Sequence, residues 1–379
     1  IDPHPLFHAR HAAFYQRAAR YYVYPPGQAV KTALPAGLSA LDSKPSVLSD
    51  KLYRPKCSAE QPQGAREREI LDFIQAAVQA SLSQLRQQFA APHVVLQRLV
   101  ELDFLQVEEI ERCRDPFAEI DIVAHQPVEL NPAQQQAVDQ IHGAFQGSPA
   151  FRAFLLHGVT GSGKTEVYLR AIESALKQGR QALLLVPEIA LTPQLVRRFR
   201  SWFQEQTVRL AVLHSGLSDG ERYDAWRQVA RGDVDVVIGA RSAVFAPLPE
   251  LGLIVVDEEH DGGYKQSEGF RYNARDLALM RGQMDDAVVV LGSATPVLTT
   301  YQRALEGHLT HLHLPERTAE SKLPGVQLVD LSQHEGESLL SEPLQVALTE
   351  ALAAGEQALL LLNRRGYAPF LLCHDCGAA

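Results

Sequence analysis

The chain has 379 residues and an apolar content of 46%, enough to bury a sizeable core in two or three domains. Its longest apolar runs are only strand length, which excludes a membrane-spanning helix, and its four cysteines do not form the framework of a disulfide-rich secreted domain. The formal net charge of −9 excludes a passive nucleic-acid coat, because phosphate binding favours a basic surface. We expect a cytoplasmic protein, and the opening Ile-Asp-Pro-His-Pro, without Met or signal peptide, predicts an internal fragment.

Basic and aromatic residues are concentrated at the front of the chain. Residues 1–56 carry eight Lys or Arg against three acidic residues, whereas residues 57–128 carry six against twelve. Apolar side chains recur at helical spacing, at Phe7, Phe14, Ala18 and Tyr21. The aromatic rings of this segment either fill a core or offer faces to nucleic-acid bases.

Residues 45–125 predict a small unit of their own. Their apolar pattern indicates short helices over 67–80, 81–89 and 92–102, followed by a strand over 104–108. Short helices followed by a strand are typical of a winged-helix module. The acidic balance of this segment leaves two roles open, DNA reading and a spacer or docking role.

From residue 129 short apolar runs alternate with amphipathic stretches. Strands are predicted over 153–157, 182–186, 210–214, 234–238, 253–256 and 287–291. Strands that alternate with helices predict a doubly wound parallel α/β sheet. A further strand, helix and strand, over 326–331, 343–354 and 358–362, predict the start of a second α/β lobe.

The run Gly158-Val-Thr-Gly-Ser-Gly-Lys-Thr165 follows a predicted strand and begins an amphipathic helix, which is the context of a phosphate-binding P-loop. Glycines let successive backbone N–H groups converge on phosphate oxygens at the positive end of a helix. We expect Lys164 to contact the β and γ phosphates and Thr165 to ligate Mg²⁺. The predicted phosphate-binding residues are Gly158, Val159, Thr160, Gly161, Ser162, Gly163, Lys164 and Thr165.

Asp257-Glu258-Glu259-His260 comes directly after an apolar strand, so Asp257 is expected at the carboxyl end of the sheet beside the P-loop. There Asp257 can hold Mg²⁺ through water, while Glu258 can orient and deprotonate the attacking water. With Lys164, Glu258 is therefore a predicted catalytic residue. Together the two motifs predict a hydrolase that uses ATP and Mg²⁺.

The Asp257–His260 box resembles that of superfamily-two helicases, and its continuation through Gln266 is similar to the PriA-type family of replication restart helicases. Four further segments, at 187–192, 239–242, 292–295 and 362–367, follow the order of that family's motifs. The resemblance covers residues 129–379 and implies a RecA-like P-loop fold. It implies four parts: the end of an N-terminal DNA-binding domain (1–40), a winged-helix-like domain (41–126), ATP-binding helicase lobe 1 (127–320), and the start of helicase lobe 2 with half of a zinc module (321–379).

The same resemblance implies roles for polar residues around the P-loop. Gln134 is the candidate for adenine recognition, although the Asn-Pro pair before it also predicts a plain helix start. Ser293 and Thr295 follow a strand and offer hydroxyls suited to sensing the γ-phosphate. With His260 they are the predicted coupling residues.

Aromatic and basic residues interleave directly after the hydrolytic carboxylates, at Tyr264, Lys265, Phe270, Arg271 and Tyr272. Single-stranded bases stack on aromatic faces with about 1 to 3 kcal/mol each, and their phosphates meet the cations. In PriA-like and RecQ-like helicases such a loop couples DNA contact to ATP hydrolysis; rings that fill a core are the alternative. Arg241 and Ser242 complete the predicted DNA contacts, with an exposed salt bridge as the alternative for Arg241.

Cys373-His-Asp-Cys376-Gly377 has the shape of half a zinc ribbon, in which two thiolates point at one ion. Two cysteines cannot complete a tetrahedral site, and a redox pair is expected near a thioredoxin-like βαβ start instead. PriA-like proteins continue with more cysteine pairs, so the resemblance implies an incomplete Zn²⁺ site in this chain.

The resemblance implies an ATP-dependent 3′–5′ DNA helicase that recognises stalled replication forks and initiates primosome assembly. Its implied partners are single-stranded and forked DNA, single-strand-binding protein and other primosome proteins, with a monomer in the bacterial cytoplasm at the nucleoid and no membrane contact. No arginine-finger motif follows Tyr367, so we expect this chain to bind ATP with little turnover and no unwinding. Two other functions stay open, a restriction-type translocase on duplex DNA and a nucleotide-gated adaptor that binds DNA without unwinding it.

Overall fold

The computed structural model describes residues 5–35, 48–56, 61–112, 114, 128–204, 208–318, 325–330 and 340–361. The chain divides into two compact units, Ile1–Ala319 and Glu320–Ala379. Within the described ranges, no helix combines the length and apolar character needed to cross a membrane.

Two helices begin the first unit, α1 (Ala9–Tyr21) and α2 (Pro26–Ala33). The buried face of α1 joins the same hydrophobic core as segments more than 200 residues further along the chain. Tyr15 donates a hydrogen bond from its hydroxyl to Phe245 O over 2.9 Å. Phe14 and Tyr15 therefore fill a core, which was one of the two roles left open, whereas Tyr21 is 62% exposed.

His11 lies on the buried face of α1, where its Nε2 donates to Leu248 O over 3.1 Å. Burial, reinforced by the charge of Arg281, lowers the pKa of His11 from 6.5 to about 3. Between these two values the unfolded chain takes up a proton that the folded chain does not, so stability falls as the pH is lowered through this window. We expect the native protein to lose about 1 kcal/mol per pH unit relative to His11→Gln, which keeps a donor near the Nε2 position; urea unfolding of both proteins measures this difference. Parallel pH profiles would contradict a buried neutral imidazole.

A small antiparallel sheet with three helices follows. Its elements are β1 (Leu48–Pro55), α3 (Ala65–Ala76), β2 (Ala80–Ser81), α4 (Leu82–Gln88), α5 (His93–Glu101) and β3 (Leu105–Arg112), with sheet order β2-β1-β3. The three predicted helices and the last strand are confirmed. Strands β1 and β2 were not predicted, because charged and polar residues interrupt β1 and β2 has only two residues. Three helices on a three-stranded antiparallel sheet have the make-up of a winged helix.

The remainder of the first unit is a lobe in which strands alternate with helices. Its elements are α6 (Pro132–Gly143), β4 (Arg152–Gly158), α7 (Lys164–Lys177), β5 (Gln181–Leu185), α8 (Pro193–Trp202), β6 (Leu210–Leu213), α9 (Asp219–Arg231), β7 (Val236–Gly239), β8 (Leu251–Val256), α10 (Ala274–Asp285), β9 (Val288–Ser293), α11 (Leu298–Leu305) and β10 (Thr310–Leu314). The seven strands pair in parallel in the order β10-β4-β9-β8-β5-β7-β6. The predicted doubly wound parallel sheet is confirmed.

Alternate residues of each central strand enter two separate core layers. Helices α1, α9, α10 and α11 cover one face of the sheet, and α6, α7 and α8 cover the other. All six predicted strands form. The seventh, β10, is an edge strand with three exposed side chains, so its sequence Thr-His-Leu-His-Leu lacks the continuous apolar run of a buried parallel strand.

Charged contacts join the small antiparallel unit to the lobe. The carboxylate of Glu111, on β3, binds two cations of α9: Arg227 Nη1 and Arg231 Nη1 each lie 2.7 Å from one of its oxygens. Arg114 binds the fully buried Asp224, also on α9, over 2.7 Å. Helix α9 is thus held from the side opposite to its apolar face.

The second unit shows one regular element within its described residues, α12 (Glu342–Ala353), close to the predicted helix over 343–354. The strands predicted over 326–331 and 358–362 were wrong for the residues described there, which form no regular structure. Leu359 and Leu361 are 97% and 93% exposed, so these apolar runs have no sheet neighbour among the described residues. The described part of this unit therefore does not show the expected start of a second lobe.

Candidate nucleotide site

The P-loop connects the end of β4 to the start of α7. Gly161 and Gly163 both have φ +79°, in the left-handed region that glycine adopts without strain. A Cβ atom at Gly158 would lie 2.4 Å from Ser162 Oγ, so the loop also needs glycine where it leaves the strand. The loop lies at the N-terminus of a 14-residue helix, where backbone N–H groups can bind an anion.

Lys164 is the first residue of α7 and its side chain is 9% exposed. Its Nζ donates to Gly158 O over 3.1 Å and lies 3.5 Å from Glu258 Oε1. Beside it, Ser162 Oγ is buried and, within the described part of the chain, makes no hydrogen bond. A cation and an unsatisfied hydroxyl in a loop at a helix N-terminus fit a bound polyphosphate.

The predicted carboxylates lie at the carboxyl end of β8, beside this loop. Tyr168 donates from its hydroxyl to Asp257 Oδ1 over 2.9 Å. Burial raises the pKa of Asp257, and the nearby charge of Glu258 raises it further, against the hydrogen bond from Tyr168 and the charge of Lys164. A buried carboxylate with a raised pKa favours a cation as its neighbour, which fits the Mg²⁺ of a nucleotide.

Glu258 has φ +45°, which is uncommon for a residue with a side chain. Strained backbone of this kind is concentrated at functional sites. Its carboxylate lies between two other site residues, with Oε1 3.5 Å from Lys164 Nζ and Oε2 3.5 Å from His260 Nδ1.

The three predicted coupling residues come together next to Glu258. His260 Nδ1 and Ser293 Oγ form a hydrogen bond of 2.7 Å, and the same hydroxyl accepts from Thr295 N over 3.0 Å. The segment that carries them passes very close to α7, since a Cβ at Gly292 would lie 1.7 Å from the Tyr168 hydroxyl. Geometry thus links the hydroxyl segment to Asp257 through Tyr168 and to Glu258 through His260.

Gln134 lies beside the P-loop, 2% exposed. Its Nε2 donates to Ser162 O over 2.8 Å, and its Oε1 accepts from Asn131 N over 2.9 Å in a capping box at the start of α6. Both ends of the amide therefore hold the loop in place. Recognition of adenine by Gln134 stays a prediction.

The aromatic residues after the box do not present their faces to solvent, and the prediction that they stack on bases was wrong for this structure. Tyr264, Phe270 and Tyr272 are each at most 2% exposed and belong to the core between the sheet and α1. Phe270 stacks on Tyr24 with ring centroids 5.1 Å apart. The loop folds back on itself, as Gln266 N donates to Tyr272 O, and this hairpin directs the rings inward.

Of the basic residues in the same region, Lys265 and Arg271 are exposed and Arg241 is partly buried. Lys265 Nζ donates to Arg271 O over 2.6 Å and lies 5.4 Å from the ring centre of Tyr22. Arg241 Nη1 donates to Gly263 O and Lys265 O, at 3.0 and 3.1 Å. Arg241 therefore supports the backbone of the loop. Its contact with DNA stays a prediction.

Two residues that help to build the site, Tyr168 and Glu259, were given no role in the sequence predictions. Tyr168 lies on a helix that follows the P-loop and binds Asp257, yet a single apolar tyrosine in an amphipathic helix carries no distinguishing pattern. Glu259 is the third residue of the box and is almost completely buried.

Cys373 and Cys376 lie outside the described residues, and within the described ones no group of three or more His, Cys, Asp or Glu is arranged to hold a metal ion.

Fold and site together define the nucleotide-binding lobe of a P-loop helicase. A family model described as DEAD/DEAH box helicase matches residues 131–304. Among curated relatives, the replication restart protein PriA of Bacillus subtilis (strain 168) is 42% identical over 83% of this chain and 39% of its own length. The PriA proteins of Synechocystis and Haemophilus influenzae are 40% and 36% identical, over 94% and 100% of this chain and 41% and 52% of their own lengths. The structure of RecG bound to a three-way DNA junction aligns with TM-score 0.40 and 27% identity over 52% of this chain and 25% of that one.

The chain belongs to the PriA type of helicase. It spans about two fifths to one half of the length of these three relatives.

Proposed function

We propose that this chain is the ATP-binding part of a DNA motor. The observation that carries the proposal is the approach of Lys164 Nζ to Glu258 Oε1, over 3.5 Å, where the P-loop faces the strand-end carboxylates. A phosphate-binding cation and a carboxylate that can activate water meet there on a rigid parallel sheet.

Each residue of the site has a role in this proposal. The P-loop N–H groups and Lys164 bind the phosphates, and Thr165 with Asp257 would hold Mg²⁺, which neutralises phosphate charge when bound. Glu258 takes the proton of the attacking water. Ser293, Thr295 and His260 contact one another beside Glu258, so their arrangement can change with the state of the phosphates.

We propose that the DNA track lies at the carboxyl ends of β6 and β7, beside the exposed Lys31 and the partly buried Arg222. A cavity of about 400 Å³ opens there between α2, α9 and the strand ends. None of the described residues that line it is acidic, and its polar and basic lining includes Lys31, His214, Ser215, Arg222 and Ser242. Together with Lys265 and Arg271, these groups can follow a phosphodiester backbone. Backbone binding on this side would leave the buried rings undisturbed.

The wider activity is proposed from the relatives. We propose 3′–5′ helicase activity, recognition of stalled forks and initiation of primosome assembly together with single-strand-binding protein, since the relatives are named as replication restart proteins. Cys373 and Cys376 would supply half of a Zn²⁺ site. The domain boundaries near residues 126 and 320 are proposed as predicted, whereas residues 5–35, predicted as the end of a separate domain, share the core of the lobe. This chain alone is proposed to bind ATP with little turnover and no unwinding.

Stimulation of ATP hydrolysis by single-stranded, duplex and forked DNA tests the proposal in native protein and in Glu258→Gln. We expect single-stranded or forked DNA to raise the low basal hydrolysis of the chain, and Glu258→Gln to abolish this increase while nucleotide still binds. The basal rate of the unmodified chain sets the reference for both. Stimulation by duplex alone would favour the translocase, and full biological activity of Glu258→Gln would favour the adaptor.

A further inference from the structure

Glu259 directly follows the hydrolytic carboxylate but points away from the P-loop into the protein. Its side chain has no exposed surface. An ionised carboxylate in such a position is costly unless several donors surround it. The donors of Glu259 identify what the residue does.

Three donors from two different helices converge on this carboxylate. Oε1 accepts from Val297 N over 2.7 Å, at the start of α11. Oε2 accepts from Thr300 Oγ1 over 3.1 Å and from Arg275 Nη1 over 3.2 Å, the latter at the start of α10. The backbone N–H of Glu259 adds a fourth contact, to Gly292 O over 2.9 Å.

These contacts close two loops at one residue. Residues 260–274 leave the box and return to it through Arg275, and this loop contains Lys265, Arg271 and the buried rings. Residues 293–296 leave β9 and return through Val297, and this loop contains Ser293 and Thr295. Glu259 therefore holds the ends of both loops: its carboxylate binds Arg275 and Val297, and its backbone N–H binds Gly292 O.

Arg275 holds the returning end of the 260–274 loop in place through several hydrogen bonds. Its guanidinium reaches Glu259 with one nitrogen and Asp276 with two others, at 3.1 Å each. Its backbone N–H donates to Asn273 Oδ1, the N-cap of α10. A displacement of the loop before Arg275 would thus pull on the residue adjacent to Glu258.

We propose that Glu259 is a positioning residue that couples the loop over 260–274 to the hydroxyl loop over 293–296. This inference rests on the proposed function of the lobe, because that function assigns DNA contact to the first loop and phosphate sensing to the second. Glu259 acts through other residues and itself touches neither phosphate nor water. Changes on the DNA side would reach Ser293, Thr295 and Glu258 through this carboxylate.

Amide hydrogen exchange of the full chain tests the proposal without nucleotide. Glu259→Gln can keep the acceptor for Val297 but turns an amide N–H toward Arg275, so the first closure is lost. We expect exchange in residues 260–274 to rise about tenfold, with a smaller rise in 293–296 and little change in β4 and α7. Glu306→Gln, at the exposed C-cap of α11, is the matched control and is expected to match the unmodified chain.

A second, milder variant distinguishes a local loss of contacts from general unfolding of the lobe. Thr300→Val removes one donor without a change of charge, and it is expected to raise exchange in the same two loops by about threefold. Unchanged exchange in both loops, or an equal rise across the whole lobe in both variants, would overturn the proposal.

A nucleotide arm separates this inference from the function on which it rests. With a non-hydrolysable ATP analogue and Mg²⁺, the unmodified chain is expected to gain protection in both loops, and Glu259→Gln only in 293–296, at unchanged analogue affinity. No binding by the unmodified chain would refute the proposed function, while the nucleotide-free result would still decide the role of Glu259. Gain of protection in both loops of Glu259→Gln would refute coupling through this residue.

Discussion

Replacing Phe270 by Ala is expected to lower the free energy of unfolding by about 4 kcal/mol. The ring is 1% exposed and packs against Tyr24, Phe245 and Tyr272, so its removal leaves a cavity that the surrounding aromatic rings cannot fill. Chemical denaturation of the purified chain measures the effect. Phe270→Leu is expected to cost clearly less, because most of the volume remains.

The neighbouring Arg271 provides the contrast. Arg271→Ala removes an exposed cation from the same loop, so stability is expected to change by less than about 0.5 kcal/mol. If the basic residues contact DNA as proposed, this variant loses affinity for single-stranded DNA and keeps its fold. A stable Phe270→Ala protein that has lost DNA affinity would instead restore the stacking role that the buried position argues against.

Replacing Lys164 by Ala is expected to weaken binding of ATP and Mg²⁺ by roughly 100-fold, equivalent to about 3 kcal/mol. The ammonium group is nearly buried at the start of α7, beside Glu258, so its loss removes the positive charge that a triphosphate would meet there. Isothermal titration of the purified chain measures the dissociation constant.

Lys177 is the matched control on the same helix. It lies in the last turn of α7, is largely exposed and pairs with Glu173 over 2.7 Å. Lys177→Ala is expected to bind nucleotide like the unmodified chain, since exposed pairs of this kind contribute little. Equal nucleotide affinities in the unmodified chain, Lys164→Ala and Lys177→Ala would contradict the assignment of residues 158–165 as a phosphate-binding loop.

The parts of the fold that the sequence predicts best are those with the strongest local pattern. Four of the six strands predicted for the lobe, β5, β7, β8 and β9, bury every side chain, because parallel strands inside the sheet are covered on both faces. The other two, β4 and β6, are buried over most of their length. The P-loop and the Asp257–His260 box were equally predictable, since their spacing follows from phosphate and metal chemistry. Edge strand β10 and the charged strand β1 lack such a pattern, because only part of each is buried.

The loop after the box shows why composition can mislead. Aromatic and basic residues that alternate along a chain are compatible with a base-stacking surface and with a hairpin that buries its rings and exposes its cations. Only the fold-back between Gln266 and Tyr272, which brings the rings against α1, distinguishes the two. In the same way Glu259 resembles its acidic neighbours in sequence, and its donors come from residues 16 to 41 positions further along the chain.

The packing of α1 onto the lobe has a practical consequence for how the protein can be divided. Tyr15 and His11 donate hydrogen bonds to the backbone carbonyls of Phe245 and Leu248, and Trp226 donates one to Leu6 O. The small antiparallel unit lies between these partners in the sequence. A shortened protein that begins near residue 128 would leave the carbonyls of Phe245 and Leu248 and the indole N–H of Trp226 without these partners, and it would uncover the apolar surface around Phe245. We therefore expect the smallest stable version of the nucleotide-binding lobe to include residues 5–35, so a gene truncated at the start of the motif region would encode only part of a folding unit.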